Sequence, residues 1–182
     1  MKLFLLLFFF IGITSYTTNE KKVWDYCKKN GLTNEGAAGL MGNLYAYSRM
    51  ESAMYEEVFH TKIGLTNEEY VNQVNSGEYT DFVYDGVGFG LALWTYYSRK
   101  QRLLDKCKGK IGDLECQLEY LFFELKSDFA KLLSILKSSN DIEACTIRVM
   151  TNFEIYTYNM KPIRIKYAKK YYNIFVENID NK

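Results

Sequence analysis

The sequence predicts a mainly α-helical domain carrying one small β-hairpin or irregular glycine-rich element. Helix-start signals recur along the chain, each followed by apolar residues at three- and four-residue spacing. One stretch, residues 79–97, breaks that pattern, with Gly86, Gly88 and Gly90 alternating with Val87 and Phe89. The composition, 48% apolar and 16% aromatic over 182 residues, supplies a packed core and excludes a disordered chain.

The chain begins with Lys2 and an unbroken apolar run over residues 3–11, followed by Gly12, Ile13, Thr14 and Ser15. A short basic region, an apolar core and small residues at its end predict a signal peptide over residues 1–15. The run falls short of the roughly 20 apolar residues that span a bilayer. A secreted single domain over residues 16–182, free of a membrane anchor once the signal is removed, is the expectation.

Thr17 and Glu20 form an S/T-x-x-E capping box for a helix that ends before Gly31, with Trp24 and Cys27 facing inward. Thr33 caps a second helix running to about Ser48, with Glu35 in its first turn opposing the dipole. Gly36, Gly39 and Gly42 recur inside it. Each costs about 0.5–1 kcal/mol relative to alanine in a helix interior, so close packing against other elements is expected. This is predicted to be the core helix.

Thr66 with Glu69 opens a short helix ending near Gly77, and Ser98 with Gln101 opens another after the glycine-rich stretch. Asp113 caps an amphipathic helix carrying Leu114, Leu118, Leu121, Phe122 and Leu125. Two further helices follow on Phe129–Leu132–Leu136 and on Ile142–Cys145–Val149. Pro162, the single proline, suits the first turn of a last helix bearing Tyr167, Tyr171 and Phe175.

Charge is balanced, with 23 basic and 22 acidic residues, which argues against a nucleic-acid partner. Lys161, Arg164, Lys166, Lys169 and Lys170 cluster on the last helix. A solvated face is the simpler account, and a surface for an anionic cell-wall polymer the sharper one. Of the four cysteines, Cys107 and Cys116 flank a short connector and are the first pairing expected, leaving Cys27 with Cys145. No CxxC occurs and His60 is the single histidine, so neither a metal site nor a cofactor is expected.

Three segments carry a resemblance to a known family. They are VWDYCKKNGLTNEGAAGLMGNLYAYS (residues 23–48), GFGLALWTYYSRKQRLLDKCK (88–108) and IGDLECQLEYLFFEL (111–125), with VMTNFE and YAKKYYN near the C-terminus. In order and over nearly the whole mature chain, this resembles the phage-tail lysozyme domain. The resemblance implies an α+β lysozyme-like fold, a helical domain with the small element beside a cleft. It also implies peptidoglycan as the partner, cleaved through a glutamate at the end of the core helix.

The family pattern Gly-Asn-x-x-x-Glu-Ser corresponds here to Gly42, Asn43, Leu44, Tyr45, Ala46, Tyr47 and Ser48, so Tyr47 occupies the acid's position. Glycosidic cleavage needs a donor to the leaving oxygen, normally a carboxyl of raised pKa. A phenol, with an unperturbed pKa near ~10, hydrogen-bonds and stacks on sugars but is a poor acid at neutral pH. Leu93 likewise replaces the glutamine of the family's Gly-Leu-Ala-Gln-Trp.

Tyr47, Gly90, Trp94 and Thr95 are the substrate-contacting positions that the resemblance implies. Glu51, Asp81 and Asp85 are weak candidates for a substitute carboxylate, and Glu154 for a structural one. The expectation is a secreted, monomeric, lysozyme-like protein that binds cell-wall glycan with catalysis impaired or lost. An active muramidase using another carboxylate is the runner-up, and a non-catalytic interaction protein the third reading.

Overall fold

In the computed structural model, which describes residues 16–153 and 160–177, four of the other helices pack directly on α2 (Asn34–Ser48). Ten of its fifteen residues are buried, including the stripe Gly36, Gly39 and Gly42. Each glycine faces a different partner. A Cβ on Gly36 would lie 2.0 Å from the Leu136 carbonyl of α7 (Ala130–Ser138). At Gly39 it would meet the Cys145 Cβ of α8 (Ile142–Asn152) at 2.7 Å. At Gly42 it would meet the Arg164 carbonyl of α9 (Lys161–Tyr172) at 2.6 Å. The stripe therefore lets three helices approach one axis at backbone distance, as its composition predicts.

The remaining elements follow their caps. α1 (Thr18–Lys29) carries the complete Thr17–Glu20 box and buries Trp24 and Cys27. After α3 (His60–Ile63), α4 (Asn67–Ser76) carries the Thr66–Glu69 box and ends at Gly77, φ 81°. α5 (Tyr97–Lys106) departs from expectation. Its N-cap is Tyr96, with no side-chain cap, so Ser98 and Gln101 lie inside the helix and form no box. α6 (Leu114–Ser127) is capped by Asp113, whose carboxylate accepts the Cys116 N–H at 2.8 Å. Pro162 sits in the first turn of α9.

The glycine-rich segment is irregular. Among the described residues it forms two isolated antiparallel bridges, Tyr55 to Phe89 and Phe89 to Trp94, and no strand. Phe89 and Trp94 exchange both backbone hydrogen bonds, at 3.1 and 2.9 Å, around the tight turn 90–93. Gly90 (φ 72°) and Leu93 (φ 43°) both adopt left-handed backbone there. That conformation is ordinary for glycine and costs a leucine about 1–2 kcal/mol.

Cys107 and Cys116 form a disulfide linking the end of α5 to the start of α6, as their spacing suggests. Cys27 and Cys145 do not pair. Both are buried free thiols, on α1 and α8, each packed on α2. Burial pushes the Cys27 thiol up to about 12, so it stays protonated and inert at neutral pH.

The basic cluster on α9 is also not a single face. Arg164 is fully buried, Lys169 pairs with Glu143 at 2.6 Å, and Lys170 lies 3.7 Å from Glu20. Among the described residues no helix is long and apolar enough to cross a membrane. The segment read as a signal peptide, and Glu154, lie outside the described residues.

Candidate functional site

The motif at the end of α2 resolves into four roles. Gly42 permits the contact with α9. Asn43, fully buried, donates to the Gly39 carbonyl at 2.8 Å and to the Thr146 carbonyl of α8 at 3.0 Å. Its side-chain oxygen accepts from the Arg164 guanidinium at 2.8 Å, so one amide ties α2, α8 and α9 together. Ser48 donates to the Leu91 carbonyl at 2.8 Å and fastens the glycine-rich turn onto the helix end.

Tyr47 is half-buried at that end. The Arg164 guanidinium carbon lies 4.2 Å from its ring centroid, a cation–π contact. α2 then stops abruptly, because Arg49 (φ 53°) and Met50 (φ 65°) are both left-handed. The chain turns away before Glu51, which is exposed and therefore not one helical turn above Tyr47.

The turn is held from below by Gln117, which is fully buried on α6. Its oxygen accepts the Leu91 N–H at 2.8 Å, and its nitrogen donates to the Ser52 and Ile111 carbonyls at 2.7 and 2.6 Å. Gly90 is buried against this amide, since a Cβ there would lie 2.6 Å from the Gln117 Oε1. Gly90 is thus a packing position, while Thr95 is exposed and donates to the Leu93 carbonyl at 2.9 Å.

Trp94 has no exposed surface, so it does not line a sugar-binding cleft. Its indole N–H donates to Glu124 at 2.8 Å. Glu124, itself fully buried, also accepts from Arg99 Nε at 2.7 Å, Arg99 Nη2 at 2.8 Å and the Tyr120 hydroxyl at 2.9 Å. Four donors on one carboxylate compensate its removal from water. Burial beside that carboxylate drives the Tyr120 phenol far above its usual range.

Asp85 anchors a second buried pair. Lys100 donates to it at 2.6 Å, and the Tyr70 hydroxyl and Val87 N–H donate at 2.6 and 2.9 Å. Burial lowers the Lys100 pKa, with Asp85 opposing that shift. Asp85 is therefore committed to packing the segment 80–87 on α5. Asp81 is exposed on the 3₁₀ turn Thr80–Val83 that precedes it.

Sequence reasoning missed Gln117, Glu124 and Glu56. The first two stand on the apolar face of the run around Leu118, Leu121 and Leu125, and a polar group on such a face signals a buried network. Glu56 carries no comparable signal. It accepts the Gly88 N–H at 2.8 Å beside the bridge from Tyr55 to Phe89.

Two surface hollows lie elsewhere. One, between α1 and α6, is lined by Tyr26, Leu114 and Leu118, and the other by Glu35, Asp141, Glu143 and Tyr172. Glu35, at the start of α2, accepts from the Tyr172 hydroxyl at 3.3 Å. Among the described residues no group of three or more His, Cys, Asp or Glu side chains is placed to hold a metal ion.

No curated protein matches the chain. The family described as phage tail lysozyme matches residues 18–175, from the first residue of α1 to the π-helical turn that follows α9. With the glycine stripe, the Asn43 tie and the turn seated on the end of α2, the chain belongs to the phage tail lysozyme family.

Proposed function

We propose that this protein is a secreted, lysozyme-like binder of peptidoglycan in which glycan cleavage is impaired or lost. Membership of the family supports a peptidoglycan-related role. The observation that carries the finer reading is Tyr47, set at the family's acid position against the Arg164 guanidinium. A phenol hydrogen-bonds and stacks on a sugar, but with an unperturbed pKa of ~10 it is a poor donor to an alkoxide leaving group at neutral pH. The substitute carboxylates add little. Asp85 is bound into the Lys100 pair, and Glu51 and Asp81 stand exposed on the surface.

The family motif persists around Tyr47 because its other members build the scaffold. Gly42, Asn43 and Ser48 hold α8, α9 and the turn in place whether or not an acid stands at position 47. Retention of the motif is thus compatible with loss of the chemistry.

The test is incubation of the purified secreted form with peptidoglycan, followed by chromatography of the soluble products. Sedimentation of the protein with the polymer and no new reducing ends is the expected result. Efficient cleavage that vanishes on Glu51→Gln or Asp81→Asn would overturn the reading in favour of an active muramidase. Absence of any binding would favour a partner other than the cell wall. Tyr47→Glu is expected to raise cleavage above wild type, with an acidic optimum, because Arg164 would stabilise the ionised carboxylate over the acid form.

A further inference from the structure

Three large aromatic side chains lie open to solvent beside the glycine-rich turn. Tyr84 is 78% exposed, Tyr96 63% and Tyr97 52%. They come from two elements: Tyr84 ends the turn Thr80–Val83, while Tyr96 caps α5 and Tyr97 is its first residue. Their rings nevertheless touch. Tyr84 and Tyr97 stack with centroids 6.2 Å apart and planes 18° apart, and Tyr96 meets Tyr97 at 5.0 Å.

An exposed, contiguous aromatic surface is unusual and marks a binding site. We propose that Tyr84, Tyr96 and Tyr97 form a platform on which the pyranose rings of an N-acetylhexosamine chain stack. This rests on the reading of the protein as a glycan binder and names where on the surface the chain runs.

The rim of the platform favours a sugar over another protein. The exposed Asp81 lies one turn before Tyr84, and the exposed Gln101 lies one helical turn after Tyr97 on the same side of α5. A carboxylate and an amide complement sugar hydroxyls and N-acetyl groups, while the ring faces take up the apolar C–H face of the pyranose. Phenols suit this role because the ring packs while the hydroxyl stays in water.

The platform is also prearranged. Asp85, next to Tyr84, is pinned by Lys100 of α5, which fixes the spacing of the two stacked rings. The backbone positions of the two rings are therefore set before binding. The platform also adjoins the turn that Ser48 fastens to the end of α2: two residues separate Leu93 from Tyr96, a span of at most about 10 Å. A bound chain would extend from the platform toward Tyr47.

The test titrates the secreted protein with a soluble β-1,4-linked N-acetylglucosamine tetramer and, separately, with insoluble peptidoglycan. The Tyr84→Ala/Tyr97→Ala pair is expected to weaken binding to both about tenfold or more, and Tyr96→Ala less. The Tyr84→Phe/Tyr97→Phe pair should remain within about twofold of wild type, because the rings persist. All three tyrosines are exposed, so an unchanged circular dichroism spectrum and melting temperature are expected to certify the fold.

Wild-type binding that survives the alanine pair would overturn the platform and leave the glycan-binding reading standing. No wild-type binding to either probe would overturn both. Sedimentation in which the alanine pair dissolves a dimer while sugar binding persists would assign the surface to a second copy of this chain and reject the sugar.

Discussion

Replacing Gly42 by alanine tests the packing logic of the domain through the sign of its effect. At an open helical position this change stabilises by about 0.5–1 kcal/mol, because alanine restricts the unfolded chain and favours the helix. At position 42 the new Cβ would stand 2.6 Å from the Arg164 carbonyl oxygen, 2.7 Å from the Ala168 N and 2.8 Å from the Ala168 Cβ. None of these is the end of a flexible side chain.

A carbon approaches a carbonyl oxygen no closer than about 3.3 Å without repulsion. α9 must therefore retreat by roughly 0.7 Å, a gap that forfeits a quarter to a half of each contact along its packing against α2. Overpacking of this kind costs about 1–3 kcal/mol, and the helix gain offsets part of it. A net loss of about 1 kcal/mol corresponds to a melting temperature lower by about 2–4 °C in a domain of this size. The same movement would lengthen the Asn43–Arg164 hydrogen bond and shift Arg164 from beneath Tyr47. Urea denaturation and differential scanning calorimetry measure the change. A Gly42→Ala protein as stable as wild type, or more so, would refute the claim that the stripe exists for close approach.

Three further outcomes follow from the buried networks and the turn. Glu124→Gln leaves the Arg99 guanidinium facing a neutral amide and is expected to destabilise the fold by about 3–5 kcal/mol. Equilibrium unfolding monitored by tryptophan fluorescence and circular dichroism reads this directly. Leu93→Gly removes a left-handed leucine and should raise stability by about 0.5–1 kcal/mol, after the lost burial is subtracted. A destabilised variant would mean that the Leu93 side chain packs more strongly than its backbone is strained. Alkaline titration probes the buried phenols. Burial raises Tyr70, Tyr120 and Tyr171 far above the usual tyrosine range and Tyr79 to about 12. The unfolded chain loses these protons first, so the stabilisation is complete below pH ~10 and is lost as pH rises through 12. Absorbance at the phenolate band, with unfolding in parallel, would show delayed ionisation that ends with unfolding. Free titration of all tyrosines near their ordinary value would contradict the buried networks.

Local physics was legible in the sequence. Thr17, Thr33, Thr66 and Asp113 cap the helices they were expected to cap, because a cap is a contact between residues two or three apart. The glycine stripe declared a close approach, since no other account suits three glycines in a core helix. The disulfide between Cys107 and Cys116 was likewise near enough in sequence to be read. Side-chain direction was decided only by tertiary structure. Trp94 reads equally as a cleft or a core residue until Glu124, thirty positions away, is found bound to its indole. Arg164 reads as part of a basic face until Asn43, on the opposite side of the sequence, draws it inside. Cys27 and Cys145 read as a pair until the structure places them, both buried and unbonded, on α1 and α8, two helices that each pack on α2. In each case the deciding partner is remote along the chain, and burial of a polar group depends on whether such a partner exists.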